Sequence, residues 1–355
     1  MTAAAFSAGA ERRAARLFPR LPSRGSLVRL AALAATAVFL VLFVANGSLG
    51  QAWDAAGTLS VGALAVALAA VAANALLSAV RWRTLLRAVG IDMPLGRAVA
   101  AYAAGTAANN VLPARGGDLI RIRAAWEATR APASAVVGTL LAERMLDGFV
   151  LSIWIVLGTL ATGAGAPMLP IGLALAFGSG LGLVLAALVA ASPARAEAWL
   201  GRITRALPPR AGEAVARAGA GFVSGLGVFR SRRFFVEALG LSFALWLADV
   251  ALYASLAKGF GLGLSLGGAF LLEGIGNLAL SVPATAAGLG TFDYLTLLGA
   301  RSIGLAGGAA SAYVVAVHAF VVLPITVAGG LLLGRALPST FSRWARRRST
   351  PVPAA

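Results

Sequence analysis

The chain has 355 residues, of which 59% are hydrophobic and only 12% are charged. A soluble domain carries about twice that share of charge, so most of this protein's surface must face lipid. The sequence has no Cys and a single His, His318, which excludes disulfides, thiolate sites and a histidine-rich metal centre. We therefore expect no metal and no cofactor.

The formal net charge is +17, almost all of it from Arg. These basic residues are clustered beside long apolar runs, where they orient membrane helices and contact anionic lipid head groups. We therefore expect membrane lipid as a partner and no nucleic acid.

Six apolar runs are long enough for membrane helices, which need about 20 residues. The first run follows a basic tail at 1–26, and its apolar core is longer than that of a cleaved signal peptide, so we interpret it as an uncleaved anchor. A second basic tail is predicted at 335–355. The six predicted spans are residues 27–45, 59–80, 135–160, 169–191, 236–257 and 309–334.

Two further apolar stretches, 94–130 and 265–302, are each interrupted in the middle. The first breaks at Leu112–Gly117 and the second at Val282–Gly290. Each half is too short to cross a bilayer, and a Pro/Gly break at membrane depth is tolerated only beside protein or a watery cavity. Both stretches are therefore predicted to be re-entrant hairpins.

The positive charge is divided very unevenly by this topology. With the N-terminus in the cytoplasm, 27 of the 30 Lys and Arg fall on cytoplasmic segments or at their edges, Arg144 lies within a span, and only Lys258 and Arg301 fall outside. This asymmetry predicts a bacterial inner-membrane protein with both termini in the cytoplasm. Counting the hairpins as full spans would place the Arg-rich segment 115–130 outside, so that alternative is disfavoured.

The two halves of the chain follow the same order of span, hairpin and span, at 59–160 and 236–334. Leu95-Gly96 recurs as Leu266-Gly267 after 171 residues, and the break motifs recur at nearly the same offset. The halves enter the membrane from opposite sides, which predicts an antiparallel internal repeat of the kind that secondary transporters use. Chance similarity between two Ala/Gly/Leu-rich segments is the alternative.

The first candidate site combines the third span with the first hairpin. Glu143 and Asp147 share one helix face, and Arg144 can reach Asp147 at i,i+3. One interpretation is a neutralised cluster that only locks helix packing. The other is that these residues hold Arg115 and Arg121 around an anionic head group, because Arg binds phosphate through two parallel hydrogen bonds. Asn109 and Asn110 precede the break as neutral donors for the same ligand.

The second candidate set lies in the other half. It comprises Asp249, Glu273, Asn277, Asp293 and His318. Ionisable residues within spans tend to face a cavity or a partner. However, a lone His is often packed and hydrogen-bonded, and Asp293 has the position of a helix cap.

The rest of the sequence predicts no further ligand site and no catalytic site. Arg81-Trp82-Arg83 is typical of an interfacial anchor with no specific ligand. The sequence has no Walker A loop and no HExxH motif, so we expect a protein that is not an enzyme.

At Asn109–Pro113, Arg115–Asp118, Arg121 and Glu143-Arg144-x-x-Asp147 the chain resembles the flippase-like family of the lysylphosphatidylglycerol synthase transmembrane region. Members share a second break of the form P…G-x-G followed by an acidic residue. Here that break is Pro283…Gly288-Leu289-Gly290, and Asp293 stands where Glu is commoner.

The resemblance implies translocation or handling of an anionic, polyprenyl-linked or hopanoid-type lipid, in some members beside a glycosyltransferase or a lipid-synthesis enzyme. No aminoacyl-transferase domain follows the last span, so we expect no synthase activity. The alternative is a non-transporting accessory subunit of a lipid- or glycan-modifying enzyme; an intramembrane transferase has no supporting motif. The break residues predicted to bind substrate are Pro113, Asp118, Pro283, Gly288 and Gly290.

Overall fold

The computed structural model describes residues 24–47, 57, 59–111, 116–163, 168–281 and 286–348. Over these residues the regular structure is entirely helical. Short 3₁₀ helices occupy Gly227–Arg230 and Ala286–Gly288. The α-helices are α1 (Arg24–Asn46), α2 (Val61–Ala88), α3 (Leu95–Val111), α4 (Gly117–Thr129), α5 (Ala133–Thr162), α6 (Met168–Ala191), α7 (Pro193–Thr204), α8 (Pro209–Gly225), α9 (Arg232–Gly259), α10 (Leu266–Ser281), α11 (Thr291–Ser302) and α12 (Gly307–Arg348).

Five of these helices are long and apolar enough to cross a membrane. They are α2, α5, α6, α9 and the part Gly307–Gly334 of α12, and they coincide with five of the six predicted spans. The remaining predicted span, 27–45, falls on α1 and stays a prediction. Most of the large apolar side chains of α6 are exposed on the outside of the bundle. We therefore expect this helix to face lipid.

α2 is longer than the predicted span 59–80. It starts at a Ser60 cap, whose hydroxyl accepts a hydrogen bond from the Ala63 amide at 3.2 Å, as expected of a helix N-cap. It then continues eight residues beyond Val80, to Ala88. The predicted span stopped before Arg81 because a charged residue ends an apolar run. In the structure Arg81 is buried, and its charge is neutralised inside the bundle.

Each predicted hairpin is observed as two short helices that meet at a break. In the first, α3 and α4 approach so closely that a side chain at Gly117 would overlap the Gly105 carbonyl. Only Gly at both positions permits this approach. In the second, the 3₁₀ turn and α11 fold back on α10, with Gly288 against Leu280 and Gly299 against Ile275.

α2 and α9 pack against each other along their whole length in opposite directions. Gly259 lies against Ala63 at one end, Asn74 donates to the Leu245 carbonyl at 3.1 Å in the middle, and Thr84 donates to Glu237 at 2.8 Å at the other end. The residue numbers of the contacting residues fall along α9 as they rise along α2, so the two helices are antiparallel.

The two halves also exchange contacts. α3 of the first half packs on α12, where Asn110 donates to Thr326 at 2.8 Å. Correspondingly, α10 of the second half packs on α5, where Trp154 stacks on Phe270 with ring centroids 4.5 Å apart. Each hairpin is thus held mainly by the last long helix of the other half.

Candidate functional site

Arg121 and Glu143 form a buried, two-fold hydrogen-bonded ion pair between α4 and α5. The guanidinium nitrogens Nη1 and Nη2 donate to Oε1 and Oε2 at 2.9 and 2.7 Å. The indole of Trp82 covers the guanidinium, 4.4 Å from the ring centroid, which adds a cation–π attraction. Both charged residues are 2% exposed, so Arg121 is committed to protein contacts.

Arg81 forms the second buried ion pair, with Asp147 of α5. It donates to both carboxylate oxygens, the longer bond being 3.2 Å, and to the Ser242 hydroxyl of α9 at 2.9 Å. Trp246 donates to the same carboxylate at 3.0 Å. The predicted interfacial anchor at Arg81-Trp82 is therefore wrong: both side chains are buried, because an acid from another helix neutralises the Arg and α9 covers it.

The two ion pairs are linked, since Arg81 also lies 3.8 Å from Glu143. We call Arg81, Arg121, Glu143 and Asp147 the buried ion-pair cluster. Its formal charge is zero, and it connects α2, α4 and α5, with α9 contributing Ser242 and Trp246. Removing one partner of a buried pair typically costs about 3–5 kcal/mol, because the other charge is left uncompensated. The cluster therefore fixes the first hairpin against the long helices.

Arg144 lies beside the cluster but is not buried. The expected Arg144–Asp147 contact is replaced by the Arg81–Asp147 pair, and Arg144 instead lies 3.5 Å from Asp118 at the start of α4. The side chains of Arg144 and Asp118 are 40% and 28% exposed. Glu143 and Asp147 occupy the inward face of α5, so Arg144 lies on the more exposed side of the helix. Arg144 and Asp118 therefore form a partly open ion pair next to the first break.

Asn109 connects the two helices that flank the first break. The Gly117 amide donates to the Asn109 side chain at 2.8 Å, and the Asn109 amide group lies 3.5 Å from Asp118. The predicted residues Pro113 and Arg115, and Pro283 of the second break, lie outside the described residues.

The second break is held by His318 of α12. Its Nδ1 lies 2.8 Å from Asp293 of α11, and its Nε2 lies 2.9 Å from the Ala287 carbonyl. Asp293 also accepts a hydrogen bond from the Gly290 amide at 2.9 Å and so caps α11. Gly288 and Gly290 both have positive φ, which favours Gly. A carbonyl can only accept, so Nε2 carries a hydrogen and the His318–Asp293 contact holds a further proton.

The remaining predicted residues, Asp249, Glu273 and Asn277, lie on α9 and α10 of the second half. Asn277 donates to the Glu273 carboxylate at 3.0 Å. Glu273 is fully buried and Asp249 is 8% exposed. The structure thus divides the predicted residues into three groups, at the first break, the second break and the α9–α10 contact.

Sequence reasoning missed Ser242 and Trp246 of α9 and gave Arg81 the wrong role. One signal was available for Arg81. Asn74, Ser78 and Arg81 are spaced by four and three residues on an otherwise apolar helix, which places them on one face. A polar face on an apolar helix indicates contact with other polar groups.

The family model described as "Lysylphosphatidylglycerol synthase TM region" matches residues 29–329 of the chain. This range contains four of the five apolar helices, most of the fifth (Gly307–Gly334), both breaks and the buried ion-pair cluster. Neither a curated protein nor a solved structure matches the sequence.

Proposed function

The chain belongs to the family of the lysylphosphatidylglycerol synthase transmembrane region and is a multi-pass membrane protein; from this premise, we propose that it moves an anionic, polyprenyl-linked or hopanoid-type lipid across the bacterial inner membrane. The proposal includes six spans, two re-entrant hairpins and cytoplasmic termini. It assigns no catalytic step to the chain.

The observation that carries the proposal is the partly open Arg144–Asp118 pair beside the first break. A lipid with a phosphate head group needs a cation that can exchange its partner for the ligand. Arg144 meets this requirement, because its partner is 3.5 Å away and its side chain is 40% exposed. Arg121 does not, because Glu143 occupies both of its terminal nitrogens.

The proposed head-group site therefore divides the basic residues by role. Arg144 and Arg115 contact the head group, and Asn109 and Asn110 offer amide donors nearby. Arg121 and Arg81 position the hairpin through the buried ion-pair cluster. Rigid support of this kind keeps Arg144 in place while it exchanges Asp118 for the head group.

The proposed inverted repeat is supported by the antiparallel contact of α2 with α9 and by the exchanged packing of α3 on α12 and α10 on α5. In transporters with such repeats, the substrate site lies where interrupted helices meet, and one half rocks against the other. In the proposed mechanism, the acyl chains of the transported lipid stay in the bilayer along the exposed apolar face of α6. The broken helices α3 and α4 offer polar contacts to its head group.

The test uses the purified full chain in liposomes that contain fluorescent phosphatidylglycerol, with a membrane-impermeant quencher added outside. We expect the protein to move this anionic probe across the bilayer faster than the zwitterionic probe phosphatidylcholine. Arg144→Ala should slow the anionic probe, whereas Arg123→Ala should not, because Arg123 is exposed on α4 and its ion-pair partner among the described residues is Glu127 at i,i+4.

Two results would count against the proposal. If neither probe nor a polyprenyl-phosphate probe crosses faster than in empty liposomes, the chain does not transport lipid, and the accessory-subunit alternative is favoured. If Arg144→Ala and Arg123→Ala move the anionic probe equally well, the head-group site lies elsewhere.

A further inference from the structure

The second half of the chain buries two acidic side chains that no basic residue neutralises. Glu273 of α10 has no exposed surface and Asp249 of α9 is 8% exposed. Within the part of the chain that the structure describes, neither forms an ion pair. An unpaired carboxylate inside a membrane protein is very unfavourable, so each of these groups requires a bound proton or a bound cation.

The carboxyl group of Glu273 has an oxygen without a partner. Glu273 Oε2 and the hydroxyl of Tyr253 are buried and form no hydrogen bond among the described residues. The Tyr253 hydroxyl occupies the place that a side chain at Gly276 would take, one turn along α10 from Glu273. Buried polar atoms are rarely left unsatisfied, and a hydrogen on Oε2 would give that oxygen a donor role.

Asn277 is the hydrogen-bond partner of the Glu273 carboxyl group. Its amide group donates both to the Glu273 carbonyl at 3.1 Å and to Glu273 Oε1 at 3.0 Å. One neutral donor favours the ionised form but does not offset the cost of a buried, unpaired charge. The described residues contain no group of three or more acidic or histidine side chains that could hold a metal ion, so the ligand that fits is a proton on Oε2.

The neighbouring helices place two acidic groups in the electrostatic surroundings of Glu273. They are Asp249 of α9 and Asp147 of α5, and both oppose a charge on Glu273. α11, which packs on α10, carries Asp293 in contact with His318 of α12 and the exposed Arg301 in its last turn. Tyr253 of α9 is a further titratable neighbour.

We propose that Glu273, with Asp249 as a second acceptor, is a proton-binding site that takes up a proton from water on one side of the membrane and releases it on the other during lipid transport. This proposal rests on the proposed transport function. The physical connection is α5, which packs on α10 where Trp154 stacks on Phe270 and which also carries Asp147 of the buried ion-pair cluster. We expect ionisation of Glu273 to act on the cluster through this helix.

The first experiment measures the proton itself and needs no lipid activity. Infrared spectra of the full chain in liposomes at neutral pH should contain the C=O stretch of a protonated carboxylic acid, slow to exchange in deuterium oxide. Glu273→Gln should remove part of this band and keep the fold, because Gln has the shape of the protonated acid. The control Glu237→Gln should keep the whole band, since Glu237 is exposed and accepts from Thr84.

Absence of a protonated-acid band from wild-type protein at neutral pH would overturn the proposal, whichever variants fold. A band that survives unchanged in Glu273→Gln, Asp249→Asn and the double variant would also overturn it.

The second experiment measures coupling. An imposed pH gradient should raise the transport rate of fluorescent phosphatidylglycerol several-fold in wild type, and Glu273→Gln should lose this dependence on the gradient. If wild type moves no lipid, the proposed transport function fails, while the infrared band still decides whether Glu273 binds a proton. If wild type moves lipid at a rate that ignores the gradient, transport stands and proton coupling fails.

Discussion

Asn74 of α2 donates a hydrogen bond to the carbonyl of Leu245 in α9, 171 residues later in the chain. The same offset separates Leu95 from Leu266, the first residues of α3 and α10. The two positions are thus equivalent in the proposed repeat, and they meet where the antiparallel helices α2 and α9 cross their midpoints. A contact between equivalent positions is expected at a two-fold axis, so Asn74 marks where such an axis would pass.

The antiparallel repeat makes a topological prediction. Reporter fusions at Gly57, Gly165 and Gly263 should report the periplasm, and fusions at Gly212 and Ser349 the cytoplasm, because the positive charge is concentrated on one side. A cytoplasmic signal at Gly263 would contradict the six-span arrangement, since that loop joins α9 to the second hairpin.

The first hairpin should depend on the close approach of its helices. Gly117→Ala places a methyl group against the Gly105 carbonyl, and overpacking of this kind typically costs about 1–3 kcal/mol. We expect a lower melting temperature in detergent. Gly96→Ala is the matched control in α3, because its added methyl group meets open space. Equal melting temperatures for the two variants would show that the helices can separate freely.

Arg121 should be a residue of stability rather than of ligand contact. Arg121→Ala leaves Glu143 buried without a cation, which should cost about 3–5 kcal/mol and reduce expression. Arg121→Lys should recover little, because Lys cannot form the paired hydrogen bonds. The double variant Arg121→Met, Glu143→Leu should regain much of the stability, measured by thermal denaturation in detergent. A stable Arg121→Ala variant would mean that water reaches Glu143.

The sequence was sufficient to predict the five long apolar helices and the two breaks, because apolar length and Pro/Gly interruptions are local features. It did not predict α7 and α8, which are too short and polar to stand out as spans. It was not sufficient to predict which acid pairs with which base. Glu143, Arg144 and Asp147 suggested a pair within one helix, yet Asp147 pairs with Arg81 from 66 residues earlier. Such choices depend on which helix faces α5, and no local pattern contains that information.

Arg81 illustrates the same limit at an apolar boundary. An Arg beside a Trp at the end of an apolar run has the pattern of an interfacial anchor whether or not it is buried. The difference comes from α9, which supplies Ser242 and Trp246 and covers the ion pair. The packing of α2 on α9 therefore decided the role of Arg81.

This revised role for Arg81 can be tested directly. An interfacial anchor would tolerate Arg81→Lys, since both residues reach the head-group region. A buried partner of Asp147 would not, because Lys loses the second bond to the carboxylate and the bond to Ser242. We expect a clear loss of thermal stability for Arg81→Lys. Arg87→Lys on the exposed side of the same helix should be neutral, and equal stability of the two variants would restore the anchor interpretation.

The last prediction concerns the second break, which His318 connects to α12 through the Ala287 carbonyl. His318→Ala removes that connection and also leaves Asp293 without its side-chain partner, although Asp293 still caps α11 through the Gly290 amide. The break should then open more often while α11 stays folded. Because the chain has no natural Cys, a single Cys at the exposed position Leu289 can report this opening. In membranes, a maleimide should label Leu289→Cys several-fold faster when His318→Ala is also present. Leu298→Ala, an exposed substitution on α11, should leave the labelling rate unchanged. If His318→Ala also leaves the rate unchanged, the break is held by contacts other than the His318–Asp293 pair.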